Sequence, residues 1–251
     1  MVRTLLISLI CLWAWVAPAQ ADPLRVGTEG QFKPFNYFDE KGDLAGFDIE
    51  ITRALCAVMK ADCQLVAMSW EELLPALEAG HIDMIVASMS KTEERLKHAD
   101  FTDRYYRSRS VFIARRDAPI TVTREGVTGK RLVTQKATVF EDWLIREFGS
   151  VAKIKGLPTA EDAFAEMMSG KADLMLIDNL VAFEVLSAPK GELLEVVGAV
   201  PESDAEMANT YIQVHKGNDA LRQAINDALR KIWLEGTYRK INEKYFPFDI
   251  Y

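Results

Sequence analysis

Histidine is scarce in this chain of 251 residues, with three in all. His81, His98 and His215 stand far apart and lack the short spacings that present metal ligands together, so no metal site is expected. There is no Gly-x-Ser-x-Gly elbow for a nucleophilic serine. Gly126-Val127-Thr128-Gly129-Lys130-Arg131 fails as a phosphate loop, both in spacing and in having no Ser or Thr after the lysine, and no cofactor is expected. Positive charge is in deficit, 30 Lys and Arg against 37 Asp and Glu, which disfavours nucleic acid and anionic membrane surfaces as partners. No repeat of solenoid period and no low-complexity stretch interrupts the chain, so everything beyond the leader is expected to be ordered.

The only long apolar run opens the chain. Met1-Val2-Arg3 is followed by an apolar stretch from Leu5 to Val16 and then by Pro18-Ala19-Gln20-Ala21. About 12 apolar residues are too few for a span of roughly 20, whereas a basic start, a greasy core and a small-x-small ending make a secretory signal. Residues 1–21 are therefore read as a signal peptide cleaved near Ala21, which places the mature protein in the periplasm. Loss of Arg3 takes the net charge from −7 to −8. Cys56 and Cys63 remain, in a compartment where disulfides persist. Ala61-Asp62 reads as a helix exit that would let the two meet, so a bridge is expected; the alternative is a pair of buried free thiols at helical spacing.

Short β-branched runs then alternate with helical periodicity. Leu24 to Gly27 reads as a strand, and Phe47, Ile51, Ala54, Leu55, Val58 and Met59 share one helical face. A strand from Gln64 to Met68 precedes a helix from Trp70 to Ala79 with a Ser69-x-x-Glu72 capping box, and Asp83 to Ala87 is again strand. After a strand near Ser110 to Ala114 the same order restarts, with strand Arg131 to Gln135, helix Val139 to Phe148 and strand Ala152 to Lys155. A helix from Thr159 to Met168 leads to Ala172 to Asp178, a buried strand ending in a carboxylate. Such alternation argues for largely parallel α/β sheets, and the restart for a second lobe. A strand Tyr211 to Val214 and a helix with Leu221, Ile225, Leu229, Ile232 and Trp233 on one face complete the chain.

One segment could do chemistry. Ala87-Ser88-Met89-Ser90-Lys91-Thr92-Glu93-Glu94-Arg95 follows a buried strand with small hydroxyl residues, a Thr cap and an arginine one turn into an expected helix. A guanidinium fork, hydroxyls and the free amides of a helix entry could hold a carboxylate. On pattern alone a capped helix with a solvated arginine is the better fit.

At these residues the chain resembles the extracellular solute-binding proteins of polar amino-acid uptake, including the lysine-arginine-ornithine and histidine binders. The resemblance spans essentially the whole mature chain. It rests on Gly27-Thr28-Glu29-Gly30-Gln31-Phe32-Lys33-Pro34-Phe35, Gly46-Phe47-Asp48-Ile49-Glu50, Ile82-Asp83 through Arg95, and Phe101-Thr102-Asp103-Arg104-Tyr105-Tyr106. The ending from Lys244 to Tyr251 and the Cys56 and Cys63 pair agree with it. It implies a two-lobed α/β periplasmic-binding-protein fold of type II, with two hinge strands and a ligand cleft between the lobes. Residues 22–109 and 213–251 would form the first lobe and 110–212 the second.

The resemblance also implies a monomer that catalyses nothing, binds a free amino acid and delivers it to an inner-membrane ABC permease. Arg95 would grip the α-carboxylate, with Ser88, Met89 and Ser90 beside the ligand and Asp178 opposite its α-ammonium. Phe32 and Trp70 would wall the side chain, and Glu29 would face it, which favours a basic ligand: arginine, lysine, ornithine or histidine. In the second lobe Lys136-Ala137-Thr138-Val139-Phe140 stands where a Gly-Thr-Thr type turn is expected. Thr138 and the Val139 amide are kept as ligand contacts, while Ala137 takes a positive φ less cheaply than glycine; Lys91, Gln135 and Phe140 are candidates for reshaping selectivity. Other readings are a glutamine or opine binder of the same class, or a periplasmic cyclohexadienyl or arogenate dehydratase on the same fold.

Overall fold

The computed structural model describes residues 22–251 except 203, 205, 206 and 208. The leader expectation for residues 1–21 falls outside the described residues. The chain opens with β1 (Leu24–Thr28) and a small antiparallel sheet of β2 (Gln31–Phe32), β3 (Asn36–Phe38) and β4 (Leu44–Ala45). Helix α1 (Phe47–Met59) then buries Phe47, Ile51 and Leu55. It exits through Lys60 at φ 55°, and that left-handed turn returns the chain so that Cys63 bonds Cys56. β5 (Cys63–Ala67), α2 (Trp70–Glu78), β6 (Met84–Ser90), β7 (Ala99–Arg107) and β8 (Ser110–Arg115) follow. The capping box expected at Ser69 and Glu72 is formed.

The second run comprises β9 (Arg131–Gln135), α3 (Val139–Phe148), β10 (Lys153–Leu157), α4 (Ala160–Met168), β11 (Leu174–Asp178), α5 (Asn179–Leu186) and β12 (Leu194–Ala199). The chain ends with β13 (Asn209–His215), α6 (Asp219–Leu234) and α7 (Thr237–Tyr245).

Two five-stranded sheets result, in the orders β5-β1-β6-β13-β7 and β10-β9-β11-β8-β12. In each, three strands run parallel, and a strand from a distant part of the chain inserts antiparallel beside them. The likeness extends to side chains. Arg25 at the start of β1 forks onto Asp83, as Arg131 at the start of β9 forks onto Asp173. The chain passes between the sheets twice, at residues 108–109 after β7 and ahead of β13, which is the two-lobed architecture expected from the restart in the sequence.

Two local expectations differ. The segment after Thr92 is a single 3-10 turn, Arg95–Lys97, because β7 begins at Ala99 and leaves no room for a longer helix. Trp233 lies 48% exposed at the edge of the α6 face, its ring against Tyr251, while Ile225, Leu229 and Ile232 carry the packing.

Candidate functional site

A cavity spanning about 460 Å³, part of it open to solvent, lies between the sheets. From the first lobe come Glu29 of the loop after β1, Phe32 of β2, Trp70 at the start of α2, Ser88 and Ser90 of β6, and Arg95. From the second come Thr138 and Val139 at the entry to α3, and Asp178 at the end of β11. Carboxyl ends of parallel strands and helix entries thus face each other, the usual position of ligands in such sheets. A larger groove of about 1660 Å³ between the β2–β3 hairpin and helices α4 and α5 is lined mainly by apolar side chains and lacks this convergence of polar groups.

Opposite charges stand at two walls of the cavity. Arg95 donates Nη1 to the Ser90 carbonyl at 2.8 Å and Nη2 to the Ala137 carbonyl at 3.2 Å, its guanidinium 5.3 Å from the Trp70 ring. Burial pulls its pKa down to about 10, which leaves it charged at neutral pH. Asp178 is 6% exposed, and its two oxygens have different partners. Oδ1 caps α5 by accepting from Leu180 N at 2.7 Å and Val181 N at 3.3 Å, while Oδ2 accepts from Ser108 Oγ on the cavity side. Burial raises its pKa to about 6, against the pull of those donors.

Glu29 is a third charge site, 6% exposed and met across the cleft by Gln135. Burial raises its pKa to about 7, with the Gln135 hydrogen bond opposing.

The altered turn folds in spite of its residues. Ala137 takes φ 55°, the left-handed conformation that glycine adopts at little cost. Glu141 closes the turn by accepting from Ala137 N at 2.7 Å, while Thr138 Oγ1 accepts from Glu141 N and donates to Gln135 O. The free Ala137 carbonyl then meets Arg95 and also Trp70 Nε1, at 2.9 Å.

Residues 24–248 match the model for bacterial extracellular solute-binding proteins, family 3. This chain belongs to that family. The lysine/arginine/ornithine-binding periplasmic protein of Escherichia coli (strain K12) is 31% identical over 240 residues, covering 93% of this chain and 91% of that protein. Structures of an ancestral arginine-binding protein, bound to arginine and bound to glutamine, are 32% identical with TM-scores of 0.83, covering 89% and 90% of this chain and 98% of theirs. An ancestral amino-acid-binding protein described as a precursor of cyclohexadienyl dehydratase is 29% identical, with a TM-score of 0.80 over 89% of this chain and 95% of that one.

Within this solute-binding fold, one expected site residue points elsewhere. Alternation along β6 sets Ser88 and Ser90 on one side and Met89 on the other, where its side chain packs with Leu73, Leu77, Ile85 and Phe101 in the first lobe's core. Ser108 was not anticipated. It sits where the chain crosses between lobes, and the restart of strand order after it is the signal that could have singled it out.

Proposed function

We propose that this solute-binding protein holds one free amino acid in its cleft, in the periplasm, and delivers it to an inner-membrane ABC permease without altering it. Two lobes would close on the ligand as a monomeric clamp, the second running from residue 110 to the residues ahead of β13 and not to 212 as expected, because Asn209–His215 pairs within the first sheet. The observation that carries the reading is the pairing of Arg95 and Asp178 in one cavity, since a buried zwitterion needs a counter-charge at each end. Arg95 would take the α-carboxylate, with the Val139 amide and Thr138 adding donors. Asp178 would take the α-ammonium, with Ser88 and Ser90 alongside.

Glu29 would meet a cationic side chain between Phe32 and Trp70, so arginine, lysine, ornithine or histidine is the proposed class. The named ligands of the relatives support it. A neutral ligand such as glutamine is the second reading, favoured by the carboxamide of Gln135 on Glu29 and by the glutamine-bound ancestral structure. Equilibrium dialysis of refolded mature protein against labelled arginine and glutamine separates these two. A parallel assay for phenylpyruvate from prephenate tests the dehydratase reading, and turnover lost on changing a cleft residue would refute a binding-only role.

A further inference from the structure

Asp48 lies outside the cavity, in the first turn of α1, and is fully buried. Its carboxylate accepts three hydrogen bonds. Tyr105 OH donates to Oδ1 at 2.7 Å, while Asn36 Nδ2 and Ser88 Oγ both donate to Oδ2 at 2.9 Å. The direction of each is settled by its surroundings. Asn36 Oδ1 accepts from Gly30 N at 2.8 Å, so its amino group faces Asp48. Tyr105 OH accepts from Ser88 N at 3.1 Å, so its proton goes to Asp48. An ionised carboxylate, acceptor only, fits all three donors and claims the proton of Ser88.

Ser88 holds a second sign of constraint, a left-handed backbone at φ 57° without being glycine. Its amide and its hydroxyl are bound to Tyr105 and Asp48, the two groups that bond each other, and these bonds hold it there. Through Asn36 the same carboxylate braces the Gly30 amide, next to Glu29.

We propose that Asp48 is a positioning residue of the site: by taking the Ser88 proton it leaves the Ser88 oxygen an acceptor towards the cleft, matched to the ammonium of an amino acid. This rests on the amino-acid reading above. A hydroxyl that gives its one proton to Asp48 keeps two lone pairs, which leaves an acceptor for the ligand. Burial raises the Asp48 pKa to about 6, and the three donors hold it below neutrality, consistent with the ionised form.

The test is calorimetric titration of the refolded mature protein with L-arginine, across Asp48→Asn, Ser88→Ala, the double variant and Tyr105→Phe. Asparagine turns an amino group on Ser88 or loses its bond, so Asp48→Asn should weaken arginine about tenfold or more. The double variant should lose clearly less than the sum of the two single losses, a coupling that a purely structural role would not produce. Tyr105→Phe removes one oxygen, which frees the Ser88 amide and one Asp48 bond, and should weaken binding several-fold; it decides the matter should Asp48→Asn not fold. Additive losses in the cycle, or wild-type affinity in Tyr105→Phe, overturn the role of Asp48 alone. A wild-type protein that binds arginine and every other amino acid equally poorly overturns the amino-acid reading and this inference with it.

Discussion

Gln135 donates its carboxamide to the Glu29 carboxylate at 2.5 Å, joining the second lobe to the first across the cleft. The pair is buried and contains no cation, which is why the Glu29 proton is held up to about 7. A ligand cation would displace that proton, and a neutral amide would not.

Affinity for a basic amino acid should therefore rise between about pH 5.5 and 8 and then level, with release of a fraction of a proton near pH 7. Glutamine affinity should change only where Asp178 ionises, near pH 6, and stay flat above about pH 7. Calorimetry in two buffers of different ionisation heat measures the proton release directly. The same shift affects stability with the opposite sense. The folded state binds the Glu29 proton more tightly than the unfolded chain, so unliganded stability falls from about pH 4.5 to 7 on account of this group and is flat above.

Glu29→Gln should weaken lysine and arginine by roughly tenfold or more, the loss of a partly buried charge pair, and leave glutamine within a few-fold. Competition of each ligand against labelled arginine checks it. Equal loss for both ligand types removes Glu29 from side-chain recognition.

Arg95→Ala and Asp178→Ala should each cost about 3 kcal/mol or more of binding, a hundredfold or greater, because the partner charge of the ligand is left buried and unpaired. Arg95→Lys should rescue little, since it cannot span the Ser90 carbonyl, the Ala137 carbonyl and a carboxylate together. Thermal unfolding of the unliganded variants separates lost binding from lost folding.

The Cys56–Cys63 bond closes a short loop between α1 and β5, away from the residues lining the cavity. Changing both cysteines to serine should lower stability by about 2 kcal/mol in denaturant titration and leave ligand affinity unchanged.

The two-sheet architecture was readable because strand and helix periods alternate cleanly and restart after Ala118-Pro119. Arg95, Asp178 and Glu29 were readable through their motifs, and all three line one cavity. What periodicity could not give was the direction of a side chain at a strand's end. Met89 sits between two serines that face the cleft, and a one-residue alternation sends it into the core. Partners from distant segments were equally hidden. Ser108 meets Asp178 across 70 residues, and Gln135 meets Glu29 across 106, pairings that only the folded lobes create. The turn at Ala137 illustrates a local rule overridden: an alanine occupies a left-handed position because Glu141 and Thr138 fasten the backbone around it.

The central claim is that the cleft takes a basic amino acid. A thermal-shift series on the mature protein, refolded to remove carried ligand, tests it most directly, with arginine, lysine, ornithine, histidine, glutamine, octopine, nopaline and prephenate as additives. A ligand at 100 times its dissociation constant adds about 2.7 kcal/mol, or roughly 5 to 10 °C for a chain of this size. The account predicts that shift for at least one of the four basic amino acids. A shift with glutamine, an opine or prephenate and none with the basic four would contradict it.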